Sequence, residues 1–352
     1  MRIASSVSLA LVLPIALSAG AASTVGIDGI ESHQLDNGTI HAVATEAIGG
    51  RLVHFSLAGK ANFLKFDPKA GNPADAVDAQ TPNIAYLGHE IWLGPQSQWW
   101  AHQNVNTALA QAKSPWPPDP FLSVAPYQLS KKSPTEIVVD SAASPVSGVA
   151  LTKRYALVPG KPNSLQVEVK AVNRRQQDVA WDIWFNTRTH ADTRVYVPVA
   201  AGATVRTQQI PNMTSGPLKY IVKDRVFSLD MPATPAPDEP ARHGKVFLQP
   251  AHGWMAGFHG GQAFIVQFPL QPRSAIHPEQ GQVEIFSDYQ PADLGKGLME
   301  MEVHAPYRKL APGAGMQAAE LWTILPYPGE TSRAAHLAFL RAQAGKLGLK
   351  GL

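Results

Sequence analysis

Apolar and polar residues alternate with a period of two through much of the chain. Arg51-Leu-Val-His-Phe-Ser-Leu, Glu136-Ile-Val-Val-Asp, Leu165-Gln-Val-Glu-Val-Lys-Ala-Val and Val179-Ala-Trp-Asp-Ile-Trp-Phe show it, and Val283 to Phe286 shows it in part. Val246 to Leu248 and Ala263 to Phe268 are short, nearly continuous apolar runs of strand length. Successive side chains of a strand point to opposite faces, so an alternating run buries one face and turns the other to solvent or a second layer. Between the runs stand Asp36-Asn-Gly, Val158-Pro-Gly-Lys-Pro-Asn, Asn173-Arg-Arg, His259-Gly-Gly and Ala311-Pro-Gly, which supply turn chemistry. The pattern predicts antiparallel β-structure. One segment departs from it: Ala, Leu and Phe recur at helical spacing from about Thr331 to Ala344, with Gly345 as a stop. Asp67 to Gln80 and Met231 to Arg242 are rich in Pro, Ala and Asp, lack periodicity, and are expected as long loops. Strand-like sequence of the same character flanks both loops, so residues 22–352 are expected to form one all-β domain closed by the C-terminal helix.

The N-terminus adds a compartment. Arg2, the apolar stretch Val7 to Leu17 and the small residues Ala19-Gly20-Ala21 predict a secretion signal over residues 1–21. The apolar stretch falls short of the ~20 residues a permanent span requires. The expected product is a bacterial periplasmic or secreted protein without a stable membrane anchor. Among 352 residues, 30 Lys and Arg face 27 Asp and Glu, a balance too even for a nucleic-acid coat. Charged residues are 16% and hydrophobic ones 45%, which allows a sizeable core and excludes general disorder. The absence of cysteine excludes disulfides, thiolate metal sites and cysteine nucleophiles, so the core alone must hold an exported chain together.

Three stretches carry candidate chemistry. The first, Gly88 to His102 with Pro115 to Pro120, holds Trp92, Trp99, Trp100 and Trp116, half of the eight tryptophans. Indole faces accept the C–H faces of a sugar ring, and planar groups such as Gln96 pair with its hydroxyls. Trp92 is assigned to the core; Trp99, Trp100 and Trp116 suit core or site equally. In the second, alternation from Val179 puts Trp181, Ile183 and Phe185 on one face of a strand. Asp182, Trp184, Asn186, Arg188 and His190 fall on the other. In the third, Glu300, Glu302 and His304 alternate with Met299, Met301 and Val303. Carboxylates one pleat apart (~7 Å) raise one another's pKa when poorly solvated, which suits a general base, although an anonymous Glu-x-Glu is more often a solvated strand face. No Gly-x-Ser-x-Gly, Gly-x-Gly-x-x-Gly, Walker loop or His-Glu-x-x-His spacing occurs, so neither a metal nor a cofactor is expected.

The stretch Ile48-Gly-Gly-Arg-Leu-Val-His-Phe-Ser-Leu, then Leu87-Gly-His-Glu-Ile-Trp-Leu-Gly-Pro-Gln, then Met299 to Pro306 followed by Leu310-Ala-Pro-Gly, resembles exported bacterial proteins of the DUF4380 group. That group is similar to the galactose mutarotase-like (aldose 1-epimerase) superfamily. The resemblance implies a β-supersandwich, two broad antiparallel sheets with a carbohydrate cleft. It also implies a Glu that takes the anomeric proton and a His that protonates the ring oxygen. Carried over by position, the base is Glu300 or Glu302, with Glu300 preferred. Where the superfamily has its histidine this chain has Trp184, which leaves His190 or His89 as donor. Two functions follow: a carbohydrate-binding protein using Trp99, Trp100, Trp116, Gln96, Asn186, Arg188 and His304, or an aldose 1-epimerase-type isomerase. A non-catalytic structural module of the cell envelope is a third expectation.

Overall fold

The computed structural model of the chain describes residues 23–210 and 215–352; the expected signal at 1–21 lies outside them. Two antiparallel sheets of eleven and ten strands pack face to face. In the first, the N-terminal strands Ser23–Ile27, Ile30–Asp36 and Ile40–Thr45 form one edge. Arg51–Leu57, His89–Gly94, Val179–His190, Leu298–His304, Val283–Tyr289, Arg242–Leu248 and Arg206–Gln208 follow in spatial order. The second sheet has Gly315–Pro326 near its middle, between Gln262–Gln267 and Ser164–Asn173.

Alternation decides what the two sheets share. Ile183 and Phe185, Met299, Met301 and Val303, and Val283 and Ile285 form the inward rows of the first sheet. They belong to one buried cluster with Val167, Val169, Phe264 and Trp322 of the second. Trp322 meets Phe264 and Phe55 edge-on, with ring centroids 4.9 and 5.4 Å away, the geometry aromatic quadrupoles prefer. Tight turns connect the strands. At His259-Gly-Gly-Gln262 the glycines take φ of 58° and 71°, left-handed values that a two-residue hairpin turn demands.

The predicted strands recur within a few residues of their expected ends, and Arg51–Leu57 and Glu136–Asp140 match them. The helix begins and ends later than the sequence suggests, over Arg333–Leu347. Ser332 accepts from the Ala335 amide as its N-cap, and Gly348, not Gly345, takes the left-handed C-terminal position at φ 69°. A glycine inside a helix costs ~1 kcal/mol relative to alanine. Here the extra turn carries Leu347 and Leu349 onto the apolar patch that Leu337 and Leu340 already cover on the outer face of the second sheet, offsetting that cost. Two short helices, Thr107–Ala112 and Pro120–Ser123, punctuate the tryptophan-rich stretch.

Candidate functional site

Strand register assembles a charged face on the side of the first sheet turned away from the core. Directly opposed residues of antiparallel strands share a face. Asn186 stands between Glu90 and Glu302, and Glu302 in turn faces Glu284. Trp184 stands between Trp92 and His304, and Arg188 opposes Glu300. The same strands that build the apolar sandwich therefore build, one position out of phase, a row of buried ionisable groups.

One end of this face is an ion-paired chain. Arg51 donates to Glu90 Oε2 at 2.6 Å and to the Ser123 carbonyl at 2.7 Å. Arg188 pairs with Glu90 Oε1, and its Nε donates to Glu300 at 2.7 Å. The Arg188 guanidinium also lies 4.5 Å over the Trp92 ring. Burial would raise the Glu300 carboxyl, but Arg188 and Lys245 outweigh it and hold the group below its ordinary value. A carboxylate held low is a weak proton acceptor at neutral pH.

The other end centres on Lys245, whose Nζ lies 2.7 Å from Glu284 and 2.8 Å from Glu302. Nζ also sits 4.4 Å from the centroid of the Trp184 ring, and Trp184 Nε1 donates to Glu302 at 2.8 Å. His304 places Nδ1 3.3 Å from Asp182 and Nε2 3.5 Å from Glu284. These groups titrate apart. Burial, reinforced by Glu300 and Glu284 and opposed by Lys245, pushes Glu302 up to about 8. Burial would also raise Glu284, but Lys245 and His304 pull it down to about 2. Burial lowers His304, but Glu284 and Asp182 override it and raise the imidazole to about 9. At neutral pH the set holds a protonated imidazole, a neutral carboxyl and an ionised carboxylate side by side.

A cavity of about 350 Å³ opens beside this end. Trp184, Phe247, Gln96, Gln208, Lys245 and Glu284 line it, with Arg206 and Gln280 at its walls. Gly94 is required here, because a Cβ at that position would stand 2.4 Å from the Gln280 amide nitrogen and 2.6 Å from Asp182. Planar amides, two cations, two carboxylates and aromatic surface around such a volume match a small polar ligand presenting hydroxyls. Glu284, Glu302 and His304 bring three ligand atoms within 4.8 Å of one another and could hold a metal ion; Lys245 already supplies a cation to both carboxylates.

The structure sorts the candidate residues. Glu300, Glu302, His304, Asn186 and Arg188 share the outward face, and Gln96 reaches the cavity. Asn186 is fully buried, and neither its Oδ1 nor its Nδ2 has a hydrogen-bond partner among the described residues. His89 does not join them. It lies on the core side, its Nδ1 2.9 Å from Thr187 Oγ1 and its ring edge-on to Trp322, and burial with nearby Lys153, Arg188 and Arg51 drives its pKa far down. His190 is also elsewhere: at its strand end it stacks on His259 at 4.1 Å and meets the Asn62 carbonyl. Asp192 pairs with His259, so no assembly of His190, Asp192 and His304 forms. Trp100 is fully buried and donates to the Pro117 carbonyl, leaving no face for a sugar. Trp99 packs behind Trp184 and Trp92, whereas Trp116, 46% exposed, meets Trp92 and Trp99. Trp92, assigned to the core, is buried but on the charged face under Arg188. Lys245, Glu284, Glu90 and Arg51 are not marked by alternation alone; their one signal is a charge at the outward position of a strand whose inward positions are apolar.

Solved structures show the same architecture. A galactose mutarotase-like protein from Lactobacillus casei superposes with a TM-score of 0.51 at 12% identity, over 84% of this chain and all of that one. The Slr1438 protein from Synechocystis does so at 0.53 and 11%, over 86% of this chain and 99% of its own. A TPR-domain containing protein from Parabacteroides distasonis gives 0.53 at 13% over 86% of this chain, which spans only 48% of that longer protein. At these identities the likeness establishes the fold, a mutarotase-like β-sandwich. Among curated proteins no sequence matches. The family model of a domain of unknown function, DUF4380, matches residues 30–325, and the chain belongs to that family.

Proposed function

We propose that the protein is an exported carbohydrate-binding protein that holds a sugar or glycan end in the cavity beside Trp184. The observation that carries this reading is the lining of that cavity: amides of Gln96, Gln208 and Gln280, the cations Lys245 and Arg206, and the carboxylates of Glu279 and Glu284, set against Trp184 and Phe247. Its volume lies within the ~300–1,000 Å³ of small-molecule sites. The mutarotase-like fold supports the same substrate class. Arg206 and Gln208 are exposed, so Arg206→Ala and Gln208→Ala test binding without disturbing the core. Each should weaken retention of a bound monosaccharide or oligosaccharide severalfold at unchanged melting temperature. Unaltered retention in both variants removes this cavity as the binding site.

A second reading, an aldose 1-epimerase-type isomerase, is favoured by one observation: Glu284 and Glu302 share the Lys245 ammonium at 2.7 and 2.8 Å, an arrangement in which Glu284 is held low while burial pushes Glu302 up. A pair so divided can give and take protons at neutral pH, with the His304 imidazolium as a further donor. Anomer exchange of supplied aldoses, followed by NMR, should be lost in Glu302→Gln with binding retained. Wild-type protein that binds an aldose without exchanging its anomers excludes this reading. Failure to bind any glycan leaves a structural cell-envelope module. Export is tested separately by N-terminal sequencing of protein recovered from the periplasm or medium, which should begin near Ala22.

A further inference from the structure

The second sheet carries a separate cavity on its outer face, where the C-terminal helix begins. It measures about 210 Å³, and its lining includes Arg194, Tyr196, Asp230, Ser332, Arg333 and His336. Arg194 is only 8% exposed. Its Nη2 donates to the Pro232 carbonyl, while Nε and Nη1 have no hydrogen-bond partner among the described residues. No carboxylate lies within ion-pairing distance of it there; of the nearby acids, Asp192 is engaged by His259 and Glu239 by Arg242. A buried guanidinium with two unpaired nitrogens is costly unless something anionic meets it.

The surroundings supply more donors. Arg333 is held by the Lys223 and Val226 carbonyls and by Ser228 Oγ at 3.3 Å, also without a carboxylate partner among the described residues. Ser332 caps the Ala335 amide and its carbonyl takes the His336 amide, which leaves the amides of Arg333 and Ala334 outside the capping. They open a fifteen-residue helix whose N-terminus carries partial positive charge. Tyr196 Oη lies 2.8 Å from His336 Nδ1, and burial with Arg194 lowers that imidazole to about 4, so it is neutral at physiological pH. Asp230, exposed at the same cavity, is the one opposing carboxylate of the lining.

We propose that this cavity is an oxyanion site, receiving a phosphate-sized tetrahedral group between Arg194, Arg333 and the helix N-terminus, on the sheet opposite to the sugar cavity and independent of it. The group could arrive as free phosphate or as a phosphomonoester of a small molecule. The test follows the melting temperature of the full chain against inorganic phosphate and, in a second arm, glycerol phosphate, each at constant ionic strength set with chloride. Saturable stabilisation by either supports the site, and the tighter of the two identifies the source. Arg194→Gln should raise the apparent Kd at least tenfold. Should that variant fold poorly, Ser332→Asp keeps an N-capping oxygen but sets a carboxylate at the helix start, and it should abolish the response while melting normally in chloride. No stabilisation beyond chloride, or a response undiminished in the variants that fold, overturns the proposal.

Discussion

The two ends of the charged face are made of the same residue types and behave differently. Between Arg51 and Glu300 each oxygen of Glu90 has its own guanidinium, and of the buried guanidinium nitrogens of Arg51 and Arg188 only Arg51 Nε lacks a hydrogen-bond partner among the described residues. Between Lys245 and Asp182 there is spare capacity: Glu302 Oε1 and Asp182 Oδ2 have no hydrogen-bond partner there, and a cavity lies alongside. Asn186, unbonded at both amide atoms, stands between the two. A satisfied network rigidifies a sheet, whereas leftover polar capacity beside open volume is what a ligand can use. Arg194 resembles the second end: two of its nitrogens are unpaired and the residue lines a cavity.

The largest effect should come from the doubly ion-paired end. Arg188→Met strands Glu90 and Glu300 without their shared cation, and the expected loss is about 3–5 kcal/mol in urea unfolding. Lys245→Met should cost less, about 1–3 kcal/mol, because Glu302 already sits near 8 and can remain neutral, while Glu284 lines the cavity and keeps the His304 imidazole. Equal losses in the two variants would erase the distinction between the ends. Trp100→Ala and Trp116→Ala sharpen it from the aromatic side. The buried Trp100 should cost ~3–5 kcal/mol in stability with no change in glycan affinity for the protein that folds. The half-exposed Trp116 should cost little in stability, measured the same way.

A pH slope with a definite sign tests the Lys245 end separately. His304 and Glu302 both have folded pKa values raised, to about 9 and about 8, so the folded state binds more protons than the unfolded one. The stability these groups contribute is fully present below their unfolded pKa values, ~6.5 for histidine and ~4.3 for glutamate, and is lost as pH rises through the folded values. Glu284 has the opposite sign: its contribution is lost as pH falls toward about 2. The melting temperature should therefore fall between roughly pH 4.3 and 9, through Glu302 from the acid end and through both groups above about pH 6.5, and His304→Gln should flatten the part above about pH 6.5. A melting temperature flat across that range would mean the Lys245 end is as closed as the Arg51 end.

Much of this architecture was written in side-chain periodicity. Alternation in Val179–His190 and Leu298–His304 determined which residues turn inward, because a strand's period of two leaves no freedom once one face is apolar. It accordingly put Glu300, Glu302 and His304 on one face, and Asp182, Trp184, Asn186 and Arg188 on another that proved to be the same face. Which strands become neighbours is not local information. Lys245 meets Glu302 and Glu284 because Arg242–Leu248 pairs with Val283–Tyr289, and that pairing is settled by the closing of the whole sandwich. His89 and Glu90 are adjacent in sequence yet lie on opposite sides of the sheet, one in the core and one in the ion-paired chain. Composition marked the tryptophans; only packing decided that Trp100 is core while Trp184 lines the cavity, since burial depends on what the rest of the chain brings against a side chain.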